Sequence, residues 1–340
     1  MFEFLNIFAQ ELAVDLGTAN TVIIHKDKVE VDEPSIIAIN RRSEKVIAVG
    51  KRALQMHEKV HEDIKTIRPL KDGVIADFTA AENMIREMIK MIKPSRFFSP
   101  SWKMVISIPS SITEVEKRAV RESAEHAGAK EVYLVQEPMA AAIGMGIEVE
   151  EPIGNMVIDI GGGTTDIAVI SLGGIVLDTS IRIAGDEFTG DILDYMRRQH
   201  NILIGERTAE QIKINIGAAL TELDEIPEDY AVNGRDLMTG IPKQIMVSYS
   251  EIAQALDKSI AKIEEAVLKA LEITPPELSA DIYQKGIHLT GGGALIRGLD
   301  KRLSYKTKLP VHIADDPLRA VVRGTGMVLK DTNHFQFLFV

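Results

Sequence analysis

At 340 residues and 37.5 kDa, 45% hydrophobic and 26% charged, the chain has a globular composition and more length than one ordinary core needs, so two domains are expected. A net charge of −11 without any Lys/Arg-rich run argues against nucleic acid as a partner, because neutralising phosphates takes a basic surface. The absence of cysteine excludes disulfides, thiolate catalysis and cysteine-ligated zinc, and suits a reducing cytoplasm.

The first ten residues, Met1-Phe-Glu-Phe-Leu-Asn-Ile-Phe-Ala-Gln10, are apolar but carry no basic n-region and no small-residue cleavage site, so a signal peptide is not expected. No apolar run approaches the ~18 residues of a membrane-spanning helix. On a helix Glu3, Asn6 and Gln10 form one stripe, and Phe2, Phe4, Leu5, Ile7 and Phe8 cover the rest. Two readings stand: an element tucked against the body, or a membrane-surface anchor. With no Lys or Arg, attraction to anionic lipid adds little.

Leu12-Ala-Val-Asp-Leu-Gly-Thr-Ala-Asn-Thr-Val-Ile-Ile24 then reads as strand, small-residue turn, strand. Strands follow at 35–39 and 46–49, and a charged helix from Lys51 holds His57-Glu-Lys-Val-His61. That H-E-x-x-H matches a zinc-protease motif, with Glu58 as base, but a short polar helix without a third ligand reads better as a solvated face. A helix over 79–92 ends at Pro94. The aromatic loop Arg96-Phe-Phe-Ser-Pro-Ser-Trp102 places Phe97, Phe98 and Trp102 either against the core or toward a membrane. A strand at 103–108 leads to a helix over 114–127, boxed by Thr113 and Glu116 and stopped by Gly128. After a strand at 131–136, Glu137 opens a small-residue helix, where it either favours the helix dipole or positions a water for attack on phosphate.

Met156-Val-Ile-Asp-Ile-Gly-Gly-Gly-Thr-Thr-Asp-Ile-Ala-Val-Ile170 repeats the 12–24 pattern, with Asp159 matching Asp15 and Gly161 matching Gly17. Glycines let backbone approach a ligand closely, and successive N–H groups in such turns make an anion nest. The pair suggests two related lobes, each with a phosphate-binding turn. Further on, Arg182-Ile-Ala-Gly-Asp-Glu-Phe188 leads into a helix to His200, and Thr208 and Gln211 suggest a capping box for a helix with Glu210 and Lys213 on one face. Residues 219–249 read as loop and hairpin, and Ser250 as the cap of a long core helix ending near Glu272. A third glycine cluster, Gly286-Ile-His-Leu-Thr-Gly-Gly-Gly-Ala-Leu295, offers side-chain-free backbone to a flat ring. A helix is expected from Asp315, and the tail His334-Phe-Gln-Phe-Leu-Phe-Val340 needs a cover.

Two Asp/Gly turns, a Glu after a strand and a late T-G-G-G-A turn together resemble the actin and heat-shock-chaperone ATPase superfamily. Asp15-Leu-Gly-Thr-Ala-Asn-Thr21, Glu33-Pro-Ser35, Ile67-Arg-Pro-Leu-Lys-Asp-Gly-Val-Ile-Ala-Asp-Phe78, Glu137-Pro-Met-Ala-Ala-Ala-Ile-Gly144, Tyr195-Met-Arg-Arg-Gln-His-Asn201, Gly234-Arg-Asp-Leu-Met238 and Thr274-Pro-Pro-Glu-Leu278 are similar to motifs of the MreB family of bacterial actin homologues. The resemblance spans about Leu12 to Lys330; Asp166 departs from it, standing where many relatives have Glu.

That resemblance implies an α/β actin-like ATPase fold: two related ribonuclease-H-like lobes, or four subdomains, around a nucleotide cleft. Subdomain IA would comprise 1–32, 66–145 and 318–340, IB 33–65, IIA 146–181 and 246–317, and IIB 182–245. ATP or ADP would meet Thr18, Ala19 and Asn20, Gly161, Gly162, Gly163 and Thr164, Gly185 and Asp186, Glu210 and Lys213 at ribose and base, and Gly291, Gly292, Gly293 and Ala294. Asp15 and Asp159 would hold Mg²⁺ through water. Glu137 and Thr164 would orient the hydrolytic water, without a covalent intermediate. It further implies ATP-dependent double protofilaments on the inner face of the cytoplasmic membrane, guiding peptidoglycan synthesis with RodZ and MreC/MreD. Phe2, Phe4, Leu5, Ile7, Phe8, Phe97, Phe98 and Trp102 would then be membrane contacts. A sugar kinase of the same fold would need an acceptor-activating Asp and a sugar pocket, and a chaperone module would need a substrate-binding domain; neither is evident.

Overall fold

The apolar runs around Asp15 and Asp159 each become the central strand of a five-stranded sheet, and the two sheets share one strand order. These and all later positions come from a computed structural model that describes residues 9–92 and 101–340. In one sheet Ala9–Leu16 lies between Asn20–His25, antiparallel, and Ser101–Ile108, parallel, with Lys28–Pro34 and Ala129–Gln136 outside. In the other Asn155–Ile160 lies between Thr165–Ser171 and Ile287–Thr290, with Gly174–Ile181 and Val311–Ile313 outside. The repeat read from the two Asp residues is therefore a repeat of topology. Asn155–Ile160 and Thr165–Ser171 are buried at every position, as an apolar run without alternation requires.

Contacts divide the chain into two compact units. The first comprises Met1–Pro152, Ile170–Val176 and Leu318–Val340; its core gathers Leu12, Ile23, Met84, Trp102 and Ile106. It also carries a small sheet of Val46–Val49, Ile37–Asn40 and Ile64–Ile67. The second comprises Ile153–Val169 and Leu177–Pro317, with a core of Ile158, Phe188, Ile192, Ile260 and Leu289 and a small sheet of Ile202–Leu203, Tyr230–Asp236 and Pro242–Val247.

Within the first unit the helix Glu137–Gly144 crosses Ala320–Lys330 at two glycines. A Cβ on Gly144 would lie 1.9 Å from the Ala320 carbonyl oxygen, and one on Gly324 1.7 Å from that of Ala140. Backbone meets backbone there, which only glycine permits. The C-terminal tail finds its cover on the same unit. Leu338 is buried, the Phe339 ring lies 4.7 Å from that of Tyr133, and Phe339 bridges Val135 on the outermost strand.

Several local expectations are corrected. Trp102 belongs to the strand Ser101–Ile108, is only 5% exposed, and meets the His25 ring edge-on at 5.7 Å, so it is a core residue and not a membrane contact. Phe2, Phe4, Leu5, Ile7, Phe8, Phe97 and Phe98 lie outside the described residues; Gln10, the last polar residue of the supposed helical stripe, is in the strand Ala9–Leu16. The helix Gly50–Met56 stops before His57, Glu58 takes a positive φ of 60°, and His57 Nδ1 lies 2.8 Å from Thr66 Oγ1, so the H-E-x-x-H residues share no helical face. No metal-holding group of three acidic or histidine side chains occurs among the described residues. Ser248, not Ser250, caps Tyr249–Ile273, because Glu251 stands three residues after Ser248 and completes the box, whereas Ala253 could not. Glu206–Ile216 starts after Gly205, two residues beyond the strand Ile202–Leu203, so Thr208 falls inside the helix and its box does not form. The last long helix begins at Ala320 rather than Asp315: Pro317 disfavours helix in the residue before it, and its carbonyl accepts from Thr290 Oγ1 and Gly291 N, both at 3.1 Å.

Candidate functional site

In the first unit the chain leaves Asp15 at the end of its strand and turns back within four residues. A Cβ on Gly17 would lie 2.7 Å from the Asn20 carbonyl oxygen, so the turn closes only on glycine. Ser35 braces it from behind: its Oγ donates to Gly17 O at 2.6 Å and its N–H to Ala19 O at 2.9 Å. Thr18 Oγ1 accepts from Gly73 N at 3.0 Å. Ala19 is half-buried and Asn20 exposed. Asp15 accepts from Ser107 Oγ at 3.0 Å, and burial nonetheless pushes its carboxyl up to about 6. Asp15 and Val135 both pair with Ser107, so Glu137 lies just beyond the same end of the sheet, at the first position of its helix. A carboxylate there is favoured by the helix dipole and remains half-buried.

In the second unit the buried Asp159 precedes a turn closed by Gly161 N donating to Thr164 O at 2.9 Å. Gly161 O accepts from Gly185 N at 3.1 Å and Gly162 O from Asp186 N at 2.7 Å, which fixes the start of the helix Gly185–Gln199 against the turn. Thr165 Oγ1 donates to Ile183 O at 2.6 Å, and Thr164 is buried. From Glu206–Ile216, Lys213 Nζ reaches Gly185 O and Glu210 Oε2, each at 2.7 Å, and Thr189 Oγ1 at 3.1 Å. The late glycine cluster packs on the strand that carries Asp159: at Gly291, with φ +81°, a Cβ would lie 2.3 Å from Asp159 Oδ1, and at Gly293 it would lie 2.1 Å from Ile160 Cγ2. The unit thus gathers Asp159, residues 161–164, Gly185, Asp186, Glu210, Lys213 and the 291–294 backbone around one strand end.

Three contributors escaped sequence reasoning. Ser107 is the one polar side chain in the run Met104–Ile108, Ser35 sits inside a quoted motif without an assigned task, and Thr189 reads as an ordinary helix residue. Only the first carries a signal, a polar side chain where the run is otherwise apolar. A separate cleft of about 850 Å³, between Leu220, Ala253 and Tyr305, uses none of the gathered residues; at its edge Arg302 is spent on Glu264 and Asp257 at 2.8 and 2.9 Å.

A family model described as MreB/Mbl protein matches residues 9–336. The chain belongs to the MreB/Mbl family. Mbl of Bacillus subtilis is 48% identical, covering 95% of this chain and 96% of its own, and MreB of Escherichia coli K12 is 47% identical, covering 96% and 95%. Both are cell shape-determining proteins. Among solved structures, MreB5 of Spiroplasma citri bound to AMPPNP is similar at a TM-score of 0.90 with 39% identity, covering 96% of this chain and 97% of that one. The MamK double helical filament, at 0.79 and 22% identity over 95% and 99%, shares the fold. An actin-like fold, as the MreB-family resemblance implied, is what these relatives have in common. No helix among the described residues is long and apolar enough to cross a membrane.

Proposed function

We propose that this MreB/Mbl-family chain is an ATP-hydrolysing, filament-forming protein that sets rod cell shape by organising peptidoglycan synthesis at the inner face of the cytoplasmic membrane. The observation that carries the reading is the doubled turn, Asp15–Gly17 and Asp159–Gly161, at the same point of two sheets of one order. The MreB5 relative bound to AMPPNP, and its counterpart bound to ADP, support nucleotide as the ligand.

The residues present fit a nucleotide and Mg²⁺. Glycine-closed turns leave backbone N–H groups for phosphate oxygens, and two carboxylates at strand ends are hard oxygen donors suited to Mg²⁺ held through water. An acid pushed up to about 6 by burial gains from a nearby cation, which favours its charged form. When bound, the metal neutralises phosphate charge. Thr18, Ala19, Asn20 and residues 161–164 are assigned to the phosphates, Gly185 and Asp186 to their flank, Glu210 and Lys213 to the ribose and base side, and residues 291–294 to the adenine. Glu137 and Thr164 are assigned to orienting the hydrolytic water. The four-subdomain division belongs to the same reading.

For the membrane, Phe2, Phe4, Leu5, Ile7, Phe8, Phe97 and Phe98 are assigned as anchors from their sequence pattern, without Trp102. One buried apolar side chain contributes roughly 1.5–3 kcal/mol at most, so a single protomer binds reversibly while a filament gains avidity. RodZ and MreC/MreD are the partners this reading implies. MamK, which shares the fold, forms a double helical filament, and self-association of this chain belongs to the same proposal. Co-sedimentation with ATP and liposomes tests the whole: pelleting that needs ATP, and liposome binding that follows it, is expected. A chain that stays monomeric in every condition would leave a monomeric actin-fold ATPase or kinase.

A further inference from the structure

Six of the eight histidines in the chain have a polar partner. His25 meets the Glu11 carbonyl, His57 the Thr66 hydroxyl, and His61, His126, His200 and His334 each a carboxylate. The other two, His288 and His312, have no hydrogen bond or ion pair among the described residues; what each has is the other's ring.

Their pairing follows from the sheet. Ile287–Thr290 and Val311–Ile313 run parallel with His288 directly beside His312, and Val157 on the next strand completes the row. Side chains in register on neighbouring strands point to one face, so the two imidazoles stand side by side. Their ring centres are 5.8 Å apart and their planes are inclined by 37°. A Cβ on Gly286 would lie 3.0 Å from His312 Nε2, so the glycine that ends Pro276–Lys285, at φ +80°, also leaves room for this ring. His288 is half-buried and His312 exposed, which keeps the pair accessible from solvent.

Two imidazoles sharing one tetrahedral ion, at about 2.0–2.1 Å from each nitrogen, place their ring centres about 5 Å apart. The spacing here is within about 1 Å of that, a difference that small rotations of the exposed His312 ring can close. Neutral imidazole suits zinc, nickel and copper, whereas magnesium and calcium take oxygen ligands. Burial, then His312, then the Lys285 charge hold His288 below its usual range, which favours the unprotonated form that coordinates a metal. Lys285 itself is exposed, so solvent screens its repulsion of a cation.

We propose that His288 and His312 form a two-histidine site for a late first-row divalent ion of the zinc, nickel and copper class, clasping the edge strand Val311–Ile313 to Ile287–Thr290. No metal-holding group of three histidine or acidic side chains occurs among the described residues, so water completes the coordination and the ion exchanges. The clasp lies beside the late glycine turn: Thr290 Oγ1 and Gly291 N, just after His288, donate to the Pro317 carbonyl beyond His312, each at 3.1 Å. Because the row exists only in the folded sheet, the ion binds and stabilises the native state.

Calorimetric titration of the full chain with Zn²⁺ and Cu²⁺, in metal-free buffer, tests the site. The natural chain is expected to take up one Zn²⁺ with a Kd on the order of micromolar, and Cu²⁺ more tightly. His288→Gln and His312→Gln should each weaken both ions by about tenfold or more. His61→Gln, which alters an exposed histidine of the first unit, should change neither. Zn²⁺ should raise the melting temperature of the natural chain and of His61→Gln but not of His312→Gln, where an exposed side chain is exchanged. The Cu²⁺ electron paramagnetic resonance spectrum should report two imidazole nitrogens in the natural chain and one in His312→Gln. No saturable uptake at about 100 µM Zn²⁺ would overturn the proposal. So would uptake that both substitutions leave intact, which places the ion elsewhere, or a loss in only one of them, which reduces the site to a single-histidine contact.

Discussion

Gly324 stands so close to Ala140 that a Cβ on it would lie 1.7 Å from the Ala140 carbonyl oxygen. The contact sits where Ala320–Lys330 crosses Glu137–Gly144, the helix that begins with the candidate catalytic Glu137. Gly324→Ala must push the two helices apart, and overpacking of this kind costs about 1–3 kcal/mol or more. Urea unfolding should show that loss. Phosphate release should fall as well, because Glu137 moves with its helix; a variant with unchanged stability would mean that the crossing relaxes freely.

Asp15 gives a pH dependence of defined sign. Its carboxyl is raised from 3.8 to about 6 by burial, so between those values the folded state holds a proton that the unfolded state has released. Its stability contribution is therefore complete below about pH 4 and is lost as pH rises through about 6, by at most about 3 kcal/mol. In metal-free buffer, the stability of the natural chain relative to Asp15→Asn should fall across that window. Ser107→Ala removes a bond that holds the carboxyl down, and should extend the window upward.

Glu137→Gln keeps the size of the side chain and removes its base. ATP affinity should stay within about twofold while single-turnover phosphate release falls by about a hundredfold or more. Hydrolysis at the natural rate would return Glu137 to a plain helix-dipole role.

Trp102 and the two phenylalanines nearby should now behave differently. Trp102→Ala empties a core site and should cost about 3–5 kcal/mol in a denaturant titration. Phe97→Ser with Phe98→Ser should leave stability within about 0.5 kcal/mol and weaken liposome binding, more so when residues 1–8 are deleted too. Full lipid binding in that last variant would move the anchor elsewhere.

The strand-to-turn repeats were legible because both Asp15 and Asp159 end apolar runs and begin small-residue turns, a local pattern that survives folding unchanged. The sequence leaves Trp102 open between core and membrane because its chain neighbours are Phe97 and Phe98, while the partner that fixes it in the core, His25, lies on a strand far away in sequence. The Ser248 box is legible in the sequence, since Glu251 stands three residues on, whereas Ser250 has Ala253 at that offset. Ser107 stands out in its run but its task does not, and Thr189 does not stand out at all: a hydroxyl gains its role only when its strand or helix is set beside Asp15 or Lys213.

The bridge between Phe339 and Val135, with Val340 N donating to Leu134 O at 3.2 Å, covers the Leu134–Val135 part of the outer edge of Ala129–Gln136. A chain cut after Lys330 would bare the backbone groups of Leu134 and Val135 and lengthen the open edge of that strand. Its first fault would then be sticking to other copies, sheet edge to sheet edge, at concentrations where the rest of the molecule is still folded. Shortened versions made for crystallisation or labelling should therefore keep these last residues, and carry any fused tag at an exposed loop.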